Sequence, residues 1–329
     1  MQQFSNPEEW KKAIISGDRI ALARAITLVE STKEEHLNLG SELVSACLPY
    51  AIKSRRIGIT GVPGAGKSTF IDSFGSHLTA AGHKVAVLAV DPSSEVSHGS
   101  ILGDKTRMDK LSADPNAFIR PTPASGSLGG VARKTRETII LCEAAGYDTV
   151  LIETVGVGQS ETAVHSMVDM FVLLVLATAG DELQGIKRGI MEMADLVIIN
   201  KDDGDNATYT NLAKATYHQA LHMFPAKESG WTVPVLSCSS LHGKGIEEVQ
   251  LRIDDFFNHV IVNGFMDENR KIQNGYWLKQ AISEELQHRF YADSNTKEKL
   301  RKLEAAVKAG KLNPFMASRE LLRNWGYKS

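Results

Sequence analysis

Ile57-Gly58-Ile59-Thr60-Gly61-Val62-Pro63-Gly64-Ala65-Gly66-Lys67-Ser68-Thr69-Phe70-Ile71 runs from a β-branched segment through G-x-x-x-x-G-K-S into an amphipathic segment that continues to Phe74 and Leu78. The middle is a Walker A loop, and the flanks are the strand and helix that such a loop requires. Glycines let the backbone curl so that its N–H groups converge on phosphate oxygens. A helix starting near Lys67 adds its positive end. Lys67 would place a charge on the β- and γ-phosphates, and Ser68 would offer a hydroxyl to Mg²⁺. The candidate phosphate contacts are Gly61, Pro63, Gly64, Ala65, Gly66, Lys67, Ser68 and Thr69. A glycine-rich turn before an ordinary helix is the bland alternative, and the strand on one side and helix on the other argue against it.

Outward from this loop, short apolar runs alternate with helical patterns. The expected strands are Arg56–Thr60, Lys84–Val90, Ala117–Arg120, Thr149–Glu153, Phe171–Ala177, Leu196–Asn200 and Val233–Leu236. Several are apolar nearly throughout, as strands covered on both faces are. The alternation predicts an α/β fold, a doubly wound and mostly parallel sheet of the P-loop NTPase type over residues 55–262. Residues 1–54 read as an N-terminal helical extension, with a helix starting at Asn6 or Pro7. A second is capped by Asp18 and buries Ile20, Leu22, Ala23 and Ile26, and a third spans Glu34 to Ile52. Residues 263–329 read as a C-terminal helical extension, with a stripe of Trp277, Leu278, Ile282, Leu286 and Phe290 followed by the apolar positions Leu300, Leu303, Val307, Leu321, Leu322 and Trp325.

The strand at Leu196–Ile199 leads into Asn200-Lys201-Asp202-Asp203, an N-K-x-D pattern. The Asp203 carboxylate can accept from guanine N1–H and N2–H₂, a donor pair that adenine lacks, so the pattern selects guanine by leaving buried groups unpaired with other bases. Lys201 can lay its stem over the base and Asn200 can brace the loop. Four residues alone could be a polar strand-end turn; downstream of a Walker A loop they read as a base site. Ser237-Cys238-Ser239-Ser240-Leu241 follows the last strand and is either a base-contacting backbone segment, with Ser239 and Ser240 as candidates, or a plain serine-rich loop.

Asp91, at the end of the second strand, is placed for a metal-bound water or is a turn-initiating Asp-Pro. Asp104, in Gly99–Arg107, belongs to a phosphate-sensing loop or is a solvated acid. Glu153 opens Glu153-Thr154-Val155-Gly156-Val157-Gly158-Gln159-Ser160-Glu161, where D-x-x-G is common. Glu153 could hold Mg²⁺ through a water, Gly156 N–H could sense the γ-phosphate, and Gln159 either orients water or starts a helix. In Gly180–Arg188 the cations Lys187 and Arg188 either supply transition-state charge or form a solvated helix start.

A net charge of -2 gives no electrostatic prior for nucleic acid or an anionic membrane. The longest apolar run, near Met170–Ala179, falls far short of the roughly 20 residues that cross a bilayer. The first residues carry acids and lysines and no apolar core, which argues against a signal peptide. Three scattered cysteines suit a reducing cytoplasm, and ten scattered histidines supply no metal-delivery cluster.

Taken together, G-V-P-G-A-G-K-S-T, D-P-S-S, G-S-I-L-G-D-K-T-R-M, S-L-G-G-V-A, E-T-V-G-V-G-Q-S-E, D-E-L-Q-G-I-K-R-G and N-K-D-D-G-D-N resemble the MeaB/ArgK family, GTPases associated with methylmalonyl-CoA mutase. The resemblance implies GTP/GDP and Mg²⁺ as ligands, and slow intrinsic hydrolysis stimulated by a partner. It implies an adenosylcobalamin-dependent acyl-CoA mutase (methylmalonyl-CoA mutase) as that partner, whose cofactor loading the GTPase gates and which it protects. It implies a homodimer formed through the C-terminal helices. By matched position it assigns Lys67, Ser68 and Thr69 to phosphates and Mg²⁺; Asp91, Asp104 and Glu153 to the metal and water network; Asn200, Lys201 and Asp203 to guanine; and Lys187 to a third switch. His98-Gly99 stands where the family usually has two glycines. A metallochaperone-type GTPase and a nucleotide-dependent kinase of a transport component are the competing readings.

Overall fold

Seven parallel strands frame the protein in a computed structural model that describes residues 6–31, 33–90, 108–122, 128–154, 160–177, 188–203, 206–323 and 325. The strands are β1 (Arg55–Gly61), β2 (Val85–Val90), β3 (Ala117–Thr122), β4 (Thr149–Thr154), β5 (Met170–Leu176), β6 (Leu196–Asn200) and β7 (Val235–Ser237). They lie in the order β3-β2-β4-β1-β5-β6-β7. Every residue of β2, β4 and β6 is buried, which is why β2 reads as an unbroken apolar run and β4 and β6 carry the apolar stretches Val150–Ile152 and Leu196–Ile199.

Helices α1 (Pro7–Ile15), α2 (Arg19–Glu30) and α3 (Glu34–Cys47) precede β1, and α4 (Lys67–Ala80) follows it. Then come α5 (Asp109–Ala113), α6 (Leu128–Ala144), α7 (Ser160–His165), α8 (Arg188–Met193), α9 (Ala207–Leu221) and α10 (Ile246–Val262). The chain closes with α11 (Phe265–Ala292), α12 (Ser294–Lys308) and α13 (Pro314–Arg323). It divides into two compact units, Met1–Gln273 and Asn274–Ser329. In the first, Phe70, Ile71, Phe74 and Leu78 of α4 pack with Ile57, Ile59, Val172 and Phe256 in one core beneath the sheet.

Four local expectations shift, each for a physical reason. The third helix ends at Cys47 and passes into a 3₁₀ turn, Leu48–Tyr50, because Pro49 cannot continue an α-helix. Strand β3 extends through Pro121 to Thr122; as an edge strand whose one partner among the described residues is β2, it tolerates a residue without an N–H. Strand β7 begins after Pro234, whose carbonyl still accepts from Val197 N–H at 3.1 Å. In α2 Asp18 does cap the helix, but Ile20 is exposed; the buried face is Ala21, Leu22, Ala25, Ile26, Leu28 and Val29. At 3.6 residues per turn those six positions share one side of the helix, and Ile20 falls on the opposite side.

The N-terminal ends of three strands are pinned by a repeated device. Asp148, Asp169 and Asp195 each sit just before a strand (β4, β5, β6), and the carboxylate of each accepts the N–H of a residue on the adjacent strand or just ahead of it. The donors are Lys84 at 3.1 Å, Arg56 at 3.0 Å and Phe171 at 2.9 Å. Each aspartate N–H returns a bond to the carbonyl of the same partner. This edge lies opposite the one at which the functional residues gather.

In the second unit Asp293 caps α12, accepting from Thr296 N–H at 2.9 Å, and Phe290 meets Trp325 edge-on at 5.1 Å. Trp277 and Phe290 are buried, but Leu278, Ile282 and Leu286 are 63%, 51% and 49% exposed. The expected stripe is thus two faces: Trp277 and Leu278 are adjacent and point apart, while the exposed trio follows the i, i+4 spacing.

Candidate active site

The carboxyl ends of β1, β4, β6 and β7 converge at one edge of the sheet, the place where open α/β sheets bind ligands. From β1 the chain enters the phosphate loop through Gly61, at φ 153°. A Cβ there would stand 2.3 Å from the Leu174 carbonyl of β5, so only glycine lets β1 and β5 stay paired at this point. Pro63 and Gly64 are exposed at the tip, Ala65 is buried, and Gly66 caps α4 in the left-handed region at φ 86°. Lys67, Ser68 and Thr69 form the first turn of α4.

Lys67 is largely buried, and its ammonium donates to the carbonyls of Gly61 at 2.8 Å and Val62 at 3.3 Å. Burial lowers its pKa, against the opposing negative charges of Glu153 and Glu161. Ser68 Oγ donates to Glu153 Oε1 at 3.0 Å. Glu153 is buried, at the end of β4 opposite Ile59 of β1, so the sheet register carries this carboxylate to the phosphate loop.

On the other side Asn200, at the end of β6, ties three segments together. Its Nδ2 donates to Ala65 O at 2.8 Å, and its Oδ1 accepts from Ser240 N–H at 3.2 Å and Ser240 Oγ at 2.7 Å. A Cβ on Gly66 would lie 2.7 Å from Asn200 Nδ2, so this bridge also depends on glycine in the loop. Lys201 then turns through φ 63°, the sole non-glycine positive φ among the described residues. Asp203 is half-buried, and its Oδ2 accepts from Ser239 Oγ at 2.6 Å. Beside it, burial works to raise the Asp202 pKa. The Lys244 ammonium and the Ser237 hydroxyl outweigh that and hold it below the usual carboxylate range.

The structure therefore brings together the phosphate loop, Glu153, the N-K-x-D segment and Ser239-Ser240. Asp91, Asp104, Gly156 and Lys187 lie outside the described residues, as do His98 and Gln159. Arg188 is described, and its guanidinium lies 5.6 Å over the Phe224 ring. Glu161 has no role legible in its motif: it is buried in the first turn of α7 and its charge acts on Lys67. Its place in E-T-V-G-V-G-Q-S-E carried no sign of that burial, which arises where α7 packs.

Residues 22–295 match the family described as methylmalonyl Co-A mutase-associated GTPase MeaB. The chain belongs to the MeaB family. Among relatives of this MeaB-family chain, "GTPase ArgK" of Escherichia coli is 49% identical over 305 residues, 93% of this chain and 92% of that one. The mouse "Methylmalonic aciduria type A homolog, mitochondrial" is 46% identical over 320 residues, 94% of this chain and 77% of its own. A solved structure described as LAO/AO transport system kinase superposes with a TM-score of 0.76 at 40% identity, covering 98% of both chains. The protein is accordingly a GTPase with a P-loop NTPase α/β fold that binds guanine nucleotide. Among the described residues no helix is long and apolar enough to cross a membrane.

Proposed function

We propose that this MeaB-family GTPase regulates an adenosylcobalamin-dependent acyl-CoA mutase, methylmalonyl-CoA mutase by family association, gating its cofactor loading and protecting it from inactivation. In this reading residues 55–262 are the GTPase domain, 1–54 and 263–329 are helical extensions, the latter dimerising, and the protein works in the cytoplasm.

The observation that carries the mechanism is the joining of the phosphate and base segments through Asn200. Phosphate oxygens replace the loop carbonyls as acceptors for Lys67, and the first N–H groups of α4 face the same oxygens. Phosphate charge offsets the burial cost that lowers the Lys67 pKa. Ser68 Oγ and Glu153 Oε1, 3.0 Å apart at the loop, are hard oxygen donors that fit Mg²⁺. Ser68 and Glu153 would hold the ion, which would supply positive charge against the phosphates, and the family resemblance assigns Asp91 and Asp104 to its water network. Asp203 accepts from guanine N1–H and N2–H₂, with Lys201 over the ring. Lys187, on the third switch, brings positive charge to the γ-phosphate when the partner docks, and Gly156 N–H reports that phosphate.

Intrinsic turnover should be slow, about 10⁻⁴ to 10⁻² s⁻¹, with partner stimulation of several orders of magnitude. The test is steady-state phosphate release from GTP and from ATP, with and without a purified adenosylcobalamin mutase. GTP turnover accelerated by the mutase, with ATP inert and acceleration lost in Lys187→Ala, is the expected result. GTP turnover indifferent to the mutase removes the client assignment, and ATP turnover with phosphate transfer to a transport component would favour the kinase reading.

A further inference from the structure

Lys244 lies outside every motif read from the sequence, yet it touches both halves of the base loop. Its ammonium donates to Asp202 Oδ2 at 3.1 Å and to the Asp202 carbonyl at 3.3 Å. Its own carbonyl accepts from Ser239 N–H at 2.9 Å, and Ser239 Oγ in turn donates to Asp203. Asp202 is further held by its N–H on the Cys238 carbonyl at 3.0 Å and by Ser237 Oγ at 3.1 Å. The side chain between Lys201 and Asp203 thus points away from the base-reading side and into a clamp. That clamp matters because Lys201 occupies the left-handed region, which a lysine does not hold without support from its neighbours.

We propose that Lys244 is a positioning residue for base recognition. By clamping Asp202 against the Ser237–Ser239 segment, it holds Asp203 in the geometry that distinguishes guanine from bases lacking the 2-amino group. It acts on nucleotide discrimination and not on loss of the γ-phosphate. The inference rests on Asp203 being the base-reading carboxylate. The Lys244 side chain is 64% exposed, so its removal leaves no buried cavity, and its ionic contribution is screened by salt.

The experiment measures affinities of the full-length chain for GDP and IDP by competition against a fluorescent N-methylanthraniloyl-GDP, with GTP turnover in parallel. In Lys244→Ala, GDP binding should weaken about fivefold while IDP, which lacks the 2-amino donor, weakens less, so the GDP/IDP ratio contracts. KM for GTP should rise with kcat held, and Lys244→Arg should restore the ratio. Equal losses for both nucleotides, an unchanged ratio, or a fall in kcat would overturn the proposal. Asp203→Asn separates the two levels. If it leaves the GDP/IDP ratio intact, Asp203 does not read the base and the site assignment itself fails. If it collapses the ratio while Lys244→Ala does not, only the role of Lys244 is lost.

Discussion

His165 illustrates how a residue with no sequence signal acquires a physical role. It ends α7 and stands edge-on to Phe171 at 5.6 Å while the residue stays exposed overall; the partial desolvation it meets there lowers its pKa, with the Lys227 charge adding to that and the Asp195 charge opposing it. A histidine whose pKa is lowered in the fold binds fewer protons near pH 6.5 than the same histidine in the unfolded chain. Stability therefore rises with pH there: it is present above the unfolded pKa and is lost as pH falls through the depressed folded pKa. His165→Gln should flatten the dependence of Tm on pH between about 7 and 5. A slope identical to the parent chain's would show that His165 does not titrate with unfolding. By contrast, Lys67, Ser68 and Asn200 were legible as site residues because their motifs prescribe backbone geometry, and a chain that meets the geometry must use those residue types. Glu161 and Lys244 were not, since an acid in a first helical turn and a lysine between two glycines are ordinary surface patterns until packing decides otherwise.

At the scale of elements, Asp148, Asp169 and Asp195 perform the same backbone task in different surroundings. Asp169 is buried and receives a bidentate pair from Arg270, at 2.7 and 2.6 Å, which ties the start of α11 to the foot of β5 and β1. Asp148 is 40% exposed and faces the partly exposed His83. Removing one partner of a buried pair strands the other charge and costs roughly 3–5 kcal/mol, whereas an exposed pair contributes about 1 kcal/mol or less. Asp169→Ala should therefore lower the urea midpoint far more than Asp148→Ala. Equal shifts would mean that the backbone bonds, and not the ion pair, carry the stabilisation. The pattern of an aspartate ahead of an apolar run was visible as D-T-V-L-I, D-M-F-V-L and D-L-V-I-I. Its meaning was not, because it depends on which strand lies beside which.

For the whole molecule, the exposed trio Leu278, Ile282 and Leu286 gives the proposed homodimer a physical motive. Three large apolar side chains at i, i+4 spacing on a helix in water are stabilised by a partner surface. If they form the dimer contact, Ile282→Asp should halve the mass measured by light scattering while GTP binding by the first unit persists. A dimer unchanged in Ile282→Asp would move the interface elsewhere.

The amino-acid sequence by itself determined the α/β class, the strand–loop–helix around Gly61–Ser68, the base pattern at Asn200–Asp203 and the family. These are local: periodicity, glycine at positions where a Cβ collides, and a carboxylate matched to guanine donors all act over a few residues. Only the tertiary structure decided that β4 lies beside β1, which delivers Glu153 to Ser68, and that β6 and β7 end together, which lets Asn200 join Ala65 to Ser240. Strand order is a property of crossover connections between distant segments, and no single segment records which neighbour it will meet.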